Sequence, residues 1–156
     1  MTLLSRIVVV VVSLGVAVAG CASMRAKMNP DEAIAARQKL MKEQGAAMRS
    51  ISDKMKAGQV QAVESDAKTL EDTATKITAL FPEGSVNPAT SRAKPEIWQK
   101  WPEFEGHAKK LESQAKMLAD IAKTGNADAT GKMVADMGRG TCGGCHTPFR
   151  GPEIKK

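Results

Sequence analysis

Near the C-terminus of this 156-residue chain, Cys142-Gly143-Gly144-Cys145-His146 brings two thiols and an imidazole into one short segment. C-x-x-C-H is the spacing that attaches c-type haem covalently. Each cysteine sulfur adds to one vinyl group of the porphyrin, and the histidine that follows falls under the iron as an axial ligand. Two other chemistries use paired cysteines. Zinc needs further Cys or His ligands, and only Cys21 and His107 remain. A thioredoxin-like dithiol needs a strand and a crossover helix beside it, and no strand pattern is legible here. Haem attachment is therefore the expected chemistry, one haem c per chain.

A haem iron has a second axial position, and what occupies it decides what the protein does. His107, in Glu105-Gly106-His107-Ala108-Lys109, reads as a solvent-facing surface histidine. A methionine is more suitable, because a soft thioether binds haem iron and raises its potential. Met41 lies on the apolar stripe of the first helical stretch. Arg37, one turn earlier, shares that face, so a ligand and a cation for a propionate could project together. Spacing also allows Met41 to be an ordinary core methionine. Met48 and Met55 share its period and are indistinguishable on that ground.

The elements that must position these residues are helical. Asn29-Pro30-Asp31-Glu32 is a helix start: a capping residue, a proline in the first turn and two acids at the positive end of the dipole. Ile34, Met41, Met48 and Met55 then recur every seven residues as far as Gly58. A second stretch places Val60, Val63, Ala67, Leu70, Ala74, Ile77 and Phe81 at alternating spacings, and Pro82 and Gly84 end it. A loop rich in Pro, Ser and Asn follows to about Lys100. The third helix carries Phe104, Ala108, Leu111, Ala115, Leu118 and Ala122 and stops at Gly125-Asn126. The last, from about Ala127 to Arg150, is glycine-rich and intrinsically poor. Four amphipathic helices and no strand predict an all-α fold, an antiparallel four-helix bundle enclosing the haem. Trp98 and Trp101 are expected to cap one end of it.

Arg6 and the apolar run Ile7–Ala19 read as an export signal over residues 1–20, too short for a comfortable membrane span of about 20 residues. Val18-Ala19-Gly20-Cys21 resembles a lipoprotein box, with Cys21 acylated as the mature N-terminus. Cleavage after Ala17-Val18-Ala19 is the rival reading. Acylation would account for the odd cysteine and is the only reason to expect contact with a membrane surface. The expected division is then signal 1–20, linker 21–28, haem domain 29–151 and tail 152–156. Removing the signal takes the 23 Lys and Arg down by one, to 22, against 17 Asp and Glu, a formal +5. The charge is scattered over helix faces without interleaved aromatics, which argues against nucleic acid as a partner. It fits weak steering towards acidic redox proteins. No distal acid–base pair suggests an enzyme.

Several segments together resemble the class II c-type cytochromes, the family of cytochrome c-prime and the low-spin c-556 type. They are Arg37-Gln38-Lys39-Leu40-Met41, Leu80-Phe81-Pro82, Lys94-Pro95-Glu96-Ile97-Trp98 with Phe104, and the C-terminal haem motif followed by Phe149-Arg150. The resemblance implies a haem within the bundle and places Met41 opposite His146. It also implies that Arg37 and Gln38 lie against the haem edge and that Arg150 sits beside the proximal histidine. Pro148 departs from the pattern, since it cannot donate a backbone N–H. In the c-556 type the matching methionine ligates. In the c-prime type that residue only packs, and the iron stays five-coordinate and open to NO or CO. The run Gln38-Lys39-Leu40-Met41-Lys42 with Gly45 looks closer to the c-556 type. The expectation is thus a periplasmic electron-transfer protein with His146 and Met41 on iron; the alternative is a five-coordinate NO- or CO-binding protein. The family includes monomers and homodimers.

Overall fold

The computed structural model describes residues 28–154. The expected signal, the lipoprotein box and Cys21 lie outside the described residues, as do Lys155 and Lys156. Helix α1, Pro30–Lys56, begins as its composition dictates: the Asn29 side chain accepts the Asp31 N–H at 2.9 Å, and Asp31 and Glu32 occupy the first turn. Gly58, with φ +70°, reverses the chain after it.

The second stretch is one α-helix, α2 (Val63–Ala74), between two single 3₁₀ turns, Val60–Ala62 and Thr78–Leu80. Its apolar period runs on to Phe81, but the regular helix stops at Ala74. The Thr73 hydroxyl donates back to the Thr69 and Leu70 carbonyls, and the Thr75–Thr78 run includes three β-branched residues, which lose rotamer freedom in a helix. Ile77 and Phe81 stay buried all the same, which is why the pattern persists past the helix end.

The connection to the third helix contains a helical turn of its own, α3 (Glu96–Gln99). Ile97 buries beneath it, and the Trp98 indole N–H is shared between the Phe81 and Pro82 carbonyls at 3.1 Å. Helix α4 spans Trp101–Lys123. The expected single last helix is three pieces: α5 (Ala127–Asp136), a π-helical turn over Met137–Gly143, and α6 (Gly144–Phe149). Gly138, Gly140 and Gly143 remove the preference for the tighter helix. Contacts from α4 hold the wider turn, with the Thr141 hydroxyl donating to the Gln114 side-chain carbonyl and the Lys110 ammonium to Gly140 O.

Helix α2 packs on α1 and most extensively on α4; α4 packs on α5, and α5 closes back on α1. That ring is a four-helix bundle. Small side chains let the helices approach closely: Ala67, Ala115 and Ala122 are fully buried beside Val63, Leu70 and Leu118. One end of the bundle is aromatic, with Phe104 edge-on to both Phe81 and Phe149 at centroid distances of 4.8 and 5.5 Å. Trp101 packs there too, 5.6 Å from Phe104. Among the described residues the extended backbone pairs once, in an isolated antiparallel bridge between Ala93 and Arg150.

Candidate haem site

A cavity of about 550 Å³ opens beside this aromatic end. Cys142, Cys145 and His146 line it from the C-terminal segment. Arg37, Gln38 and Met41 line it from α1, and Arg150 borders it. Ile77, Phe81, Ile97, Phe104, Leu111 and Phe149 give it an apolar wall. Every site residue expected from the sequence therefore faces one space. Of the three methionines sharing a period, only Met41 reaches the cavity; the Met55 methyl instead lies 3.7 Å from where a Cβ on Gly131 would stand, against α5.

The local reasons are legible. The π-turn ends where α6 begins, so the two cysteines of the motif lie across the junction between them. Pro148 sits inside α6 without an N–H to donate, and the Arg150 N–H bonds His146 O at 3.0 Å to close the last turn. The chain then leaves extended.

Burial governs the chemistry of the motif. It pushes the Cys142 thiol up, and it pushes Cys145 to about 11, with Cys142 adding to the shift. Thiols held neutral in this way are poor exchange catalysts, which need a depressed pKa. Among the described residues no cluster of His, Cys, Asp or Glu is placed to hold a metal ion by itself. Burial also lowers the His146 pKa, with the Arg150 and Arg92 charges adding to it, which favours the neutral imidazole whose lone pair binds a metal. An apolar cavity of this size lined by two thiols and an imidazole fits a porphyrin. Alkylation of Cys145 in haem-free protein should be slow at neutral pH and rise about tenfold per pH unit until near pH 11. Iodoacetamide labelling followed by mass spectrometry measures this; a plateau below pH 9 would contradict it.

Arg37 is 3% exposed. Its guanidinium donates to Ser85 Oγ at 2.9 Å, and to Ser85 O and Ser91 Oγ at 2.7 Å, and lies 4.7 Å from the centre of the Phe81 ring. Burial lowers its pKa. The Gln38 amide donates to Thr90 O at 2.6 Å. Both side chains fasten the Pro82–Ala93 loop to α1 at the cavity rim.

Two residues lie differently from, or outside, the sequence reading. His107 is not on the open surface: it is half-buried, lines the cavity and meets the Phe149 ring at 5.9 Å and 77°. A Cβ on Gly144 would stand 3.7 Å from its Cε1. Helix α4 begins at Trp101, and α6 folds over its first turns, covering this position. Arg92 belongs to no motif in the sequence, yet it borders the cavity and its charge acts on His146. It sits in an aperiodic loop, and the only signal is its place shortly before Pro95.

A helical bundle with C-x-x-C-H lining an apolar cavity defines a c-type haem protein. The chain belongs to the cytochrome c′ family, whose model matches residues 32–150. With that family comes one covalently attached haem c per chain. The chain is 36% identical over 125 residues to cytochrome c′ of Pararhodospirillum photometricum, covering 78% of this chain and 98% of that protein. It superposes on cytochrome c′ from Thermochromatium tepidum with TM-score 0.70 at 30% identity, covering 81% of this chain and 100% of the other. A further solved cytochrome c′, described by an unusual ligand-controlled dimer dissociation, gives TM-score 0.73 at 29% identity, again over 81% and 100%. These relatives point to the c-prime type and do not support the c-556 subtype expected from residues 38–45. Met41 lines the cavity, and that alone does not make it a ligand.

Proposed function

We propose that this chain is a five-coordinate, ligand-binding cytochrome c′. Cys142 and Cys145 hold the haem through thioethers, and His146 is its single protein ligand. Met41 packs against the opposite face without bonding, leaving room for NO or CO. The observation that carries this reading is the likeness to a cytochrome c′ over 98% of that relative's length. The haem supplies one-electron exchange and a position for a diatomic ligand. The chain's residues do the rest: the apolar wall excludes water, and burial favours the neutral form of His146. Arg37 and Gln38 tie down the loop at the cavity rim and lie against the haem edge, as Arg150 does beside His146. Among the described residues Glu153 is the one carboxylate lining the cavity. The export signal read in residues 1–20 puts the mature chain in the periplasm, exchanging electrons with redox proteins.

The placement of Met41 on the haem cavity favours a second reading, a six-coordinate electron carrier with His146 and Met41 on iron. Spectra and CO binding separate the two. The five-coordinate reading expects high-spin ferric bands and ready CO uptake. It also expects Met41→Ala to leave the ferric spectrum high-spin while CO binds about tenfold faster, equivalent to ~1.4 kcal/mol of relieved crowding. A low-spin parent spectrum that turns high-spin in Met41→Ala would establish ligation and overturn the proposal.

A further inference from the structure

Towards the C-terminus Met137, Thr141, Cys145 and Phe149 recur every four residues, and all four turn inward. Met137, Thr141 and Phe149 are buried, and Cys145 packs against the core. A regular α-helix does not keep such a series on one face. Each step of four overshoots a full turn by about 40°, so three steps carry Phe149 about 120° round from Met137. The π-turn over Met137–Gly143 has more residues per turn and absorbs the overshoot. His146 follows Cys145 directly, so its direction about the α6 axis is set by the same phase.

The turn that sets this phase does not hold itself. Its glycines at 138, 140 and 143 give it freedom rather than a preference. A threonine within a helix ordinarily gives its hydroxyl proton to a carbonyl three or four residues back. Thr69, Thr73, Thr130 and Thr147 all do so here. Thr141 does not: its hydroxyl crosses to the side-chain carbonyl of Gln114 on α4. Gln114 is half-buried and does not line the haem cavity, so it reaches the haem only through Thr141. Lys110, one turn earlier on α4, adds a weaker contact from its exposed ammonium to Gly140 O at 3.3 Å.

We infer that Gln114 is a positioning residue for the axial histidine. By taking the Thr141 hydroxyl proton it withholds that proton from the helix's own carbonyls and ties the π-turn to α4. The turn in turn fixes the rotation of His146 towards the iron. The inference deepens the proposed function and rests on His146 as the axial ligand; it is independent of whether Met41 ligates.

The test is the iron–histidine stretching band of ferrous holoprotein, recorded by resonance Raman just after photolysis of bound CO, which empties the distal position whatever Met41 does. Gln114→Ala and Thr141→Val should each shift and broaden the band. Gln114→Glu still accepts the hydroxyl proton and Thr141→Ser still donates one, so both should keep the parent position. Amide exchange across residues 138–142 should quicken about fivefold in Gln114→Ala, the factor corresponding to one hydrogen bond of ~1 kcal/mol. Lys54→Ala breaks the α1–α2 ion pair with Asp66 at 2.8 Å and should leave the band unmoved, which separates positioning from a general loss of stability. A band at the parent position in both Gln114→Ala and Thr141→Val overturns the inference, whatever their stability. A parent protein without the band would overturn ligation by His146 itself, and the inference with it.

Discussion

Exported chain with both Cys142 and Cys145 replaced by serine is expected to hold almost no covalent haem, a drop of at least about tenfold against the parent. A serine hydroxyl does not form a thioether with a vinyl group, and each cysteine serves one vinyl, so the double variant leaves no covalent tether. His146 and the apolar cavity remain and can retain free haem, but only reversibly. Denaturation therefore distinguishes the two forms: a haem-stained denaturing gel should show the parent band and lose it in the variant. The change should also be felt in the fold. The segment from Met137 to Phe149 contains a glycine-rich π-turn and a six-residue helix interrupted by Pro148, with little helical preference of its own. Without its tether to the haem this segment should become the first site of proteolysis. Covalent haem at the parent level in the double variant would remove the basis of the functional reading.

The second large effect is on stability. Arg37→Ala should cost about 3 kcal/mol, because three charge-assisted hydrogen bonds vanish and their acceptors are buried. Ser85 is 0% exposed and Ser91 6%, so their hydroxyls lose a donor where water does not readily replace it. Desolvation of the guanidinium, visible in its lowered pKa, already offsets part of what those bonds contribute, which keeps the expected loss well below the sum of three separate bonds. The damage should concentrate in the Pro82–Ala93 loop, which Arg37 and Gln38 fasten to α1. Urea unfolding followed by far-UV circular dichroism gives the size of the loss. Tryptophan fluorescence reports its place, since the Trp98 indole bonds the carbonyls of Phe81 and Pro82 at the loop's start. A loss below about 0.5 kcal/mol, the usual range for surface changes, would show that the loop is held by other contacts.

Much of this protein is written locally. The haem motif needs only adjacency, so Cys142, Cys145 and His146 are identified without any fold. The start of α1 is similarly local, because Asn29, Pro30, Asp31 and Glu32 act on backbone groups within one turn. The apolar spacings along α1, α2 and α4, with the C-terminal helical stretch as a fourth, predict four packed helices, since a helix with one apolar stripe has to bury it. The bundle follows from that.

Periodicity assigns a residue to a face; it carries no information about which end of the bundle opens or how helices end. Met41, Met48 and Met55 are equivalent by spacing, and the tertiary structure alone sets Met41 on the cavity and Met55 against α5. His107 looked exposed until α6 folded over the first turns of α4. The π-turn arises where three glycines relax the helix and Gln114 and Lys110 of α4 hold the relaxed form. Arg92 sits in a loop with no period at all, and pairing with the chain after α6 puts its charge beside His146. Chemical identity and helical faces are short-range properties of the chain, and the sequence by itself determined them. Depth, neighbours and electric field come from contacts between segments far apart along it, and folding alone decides those.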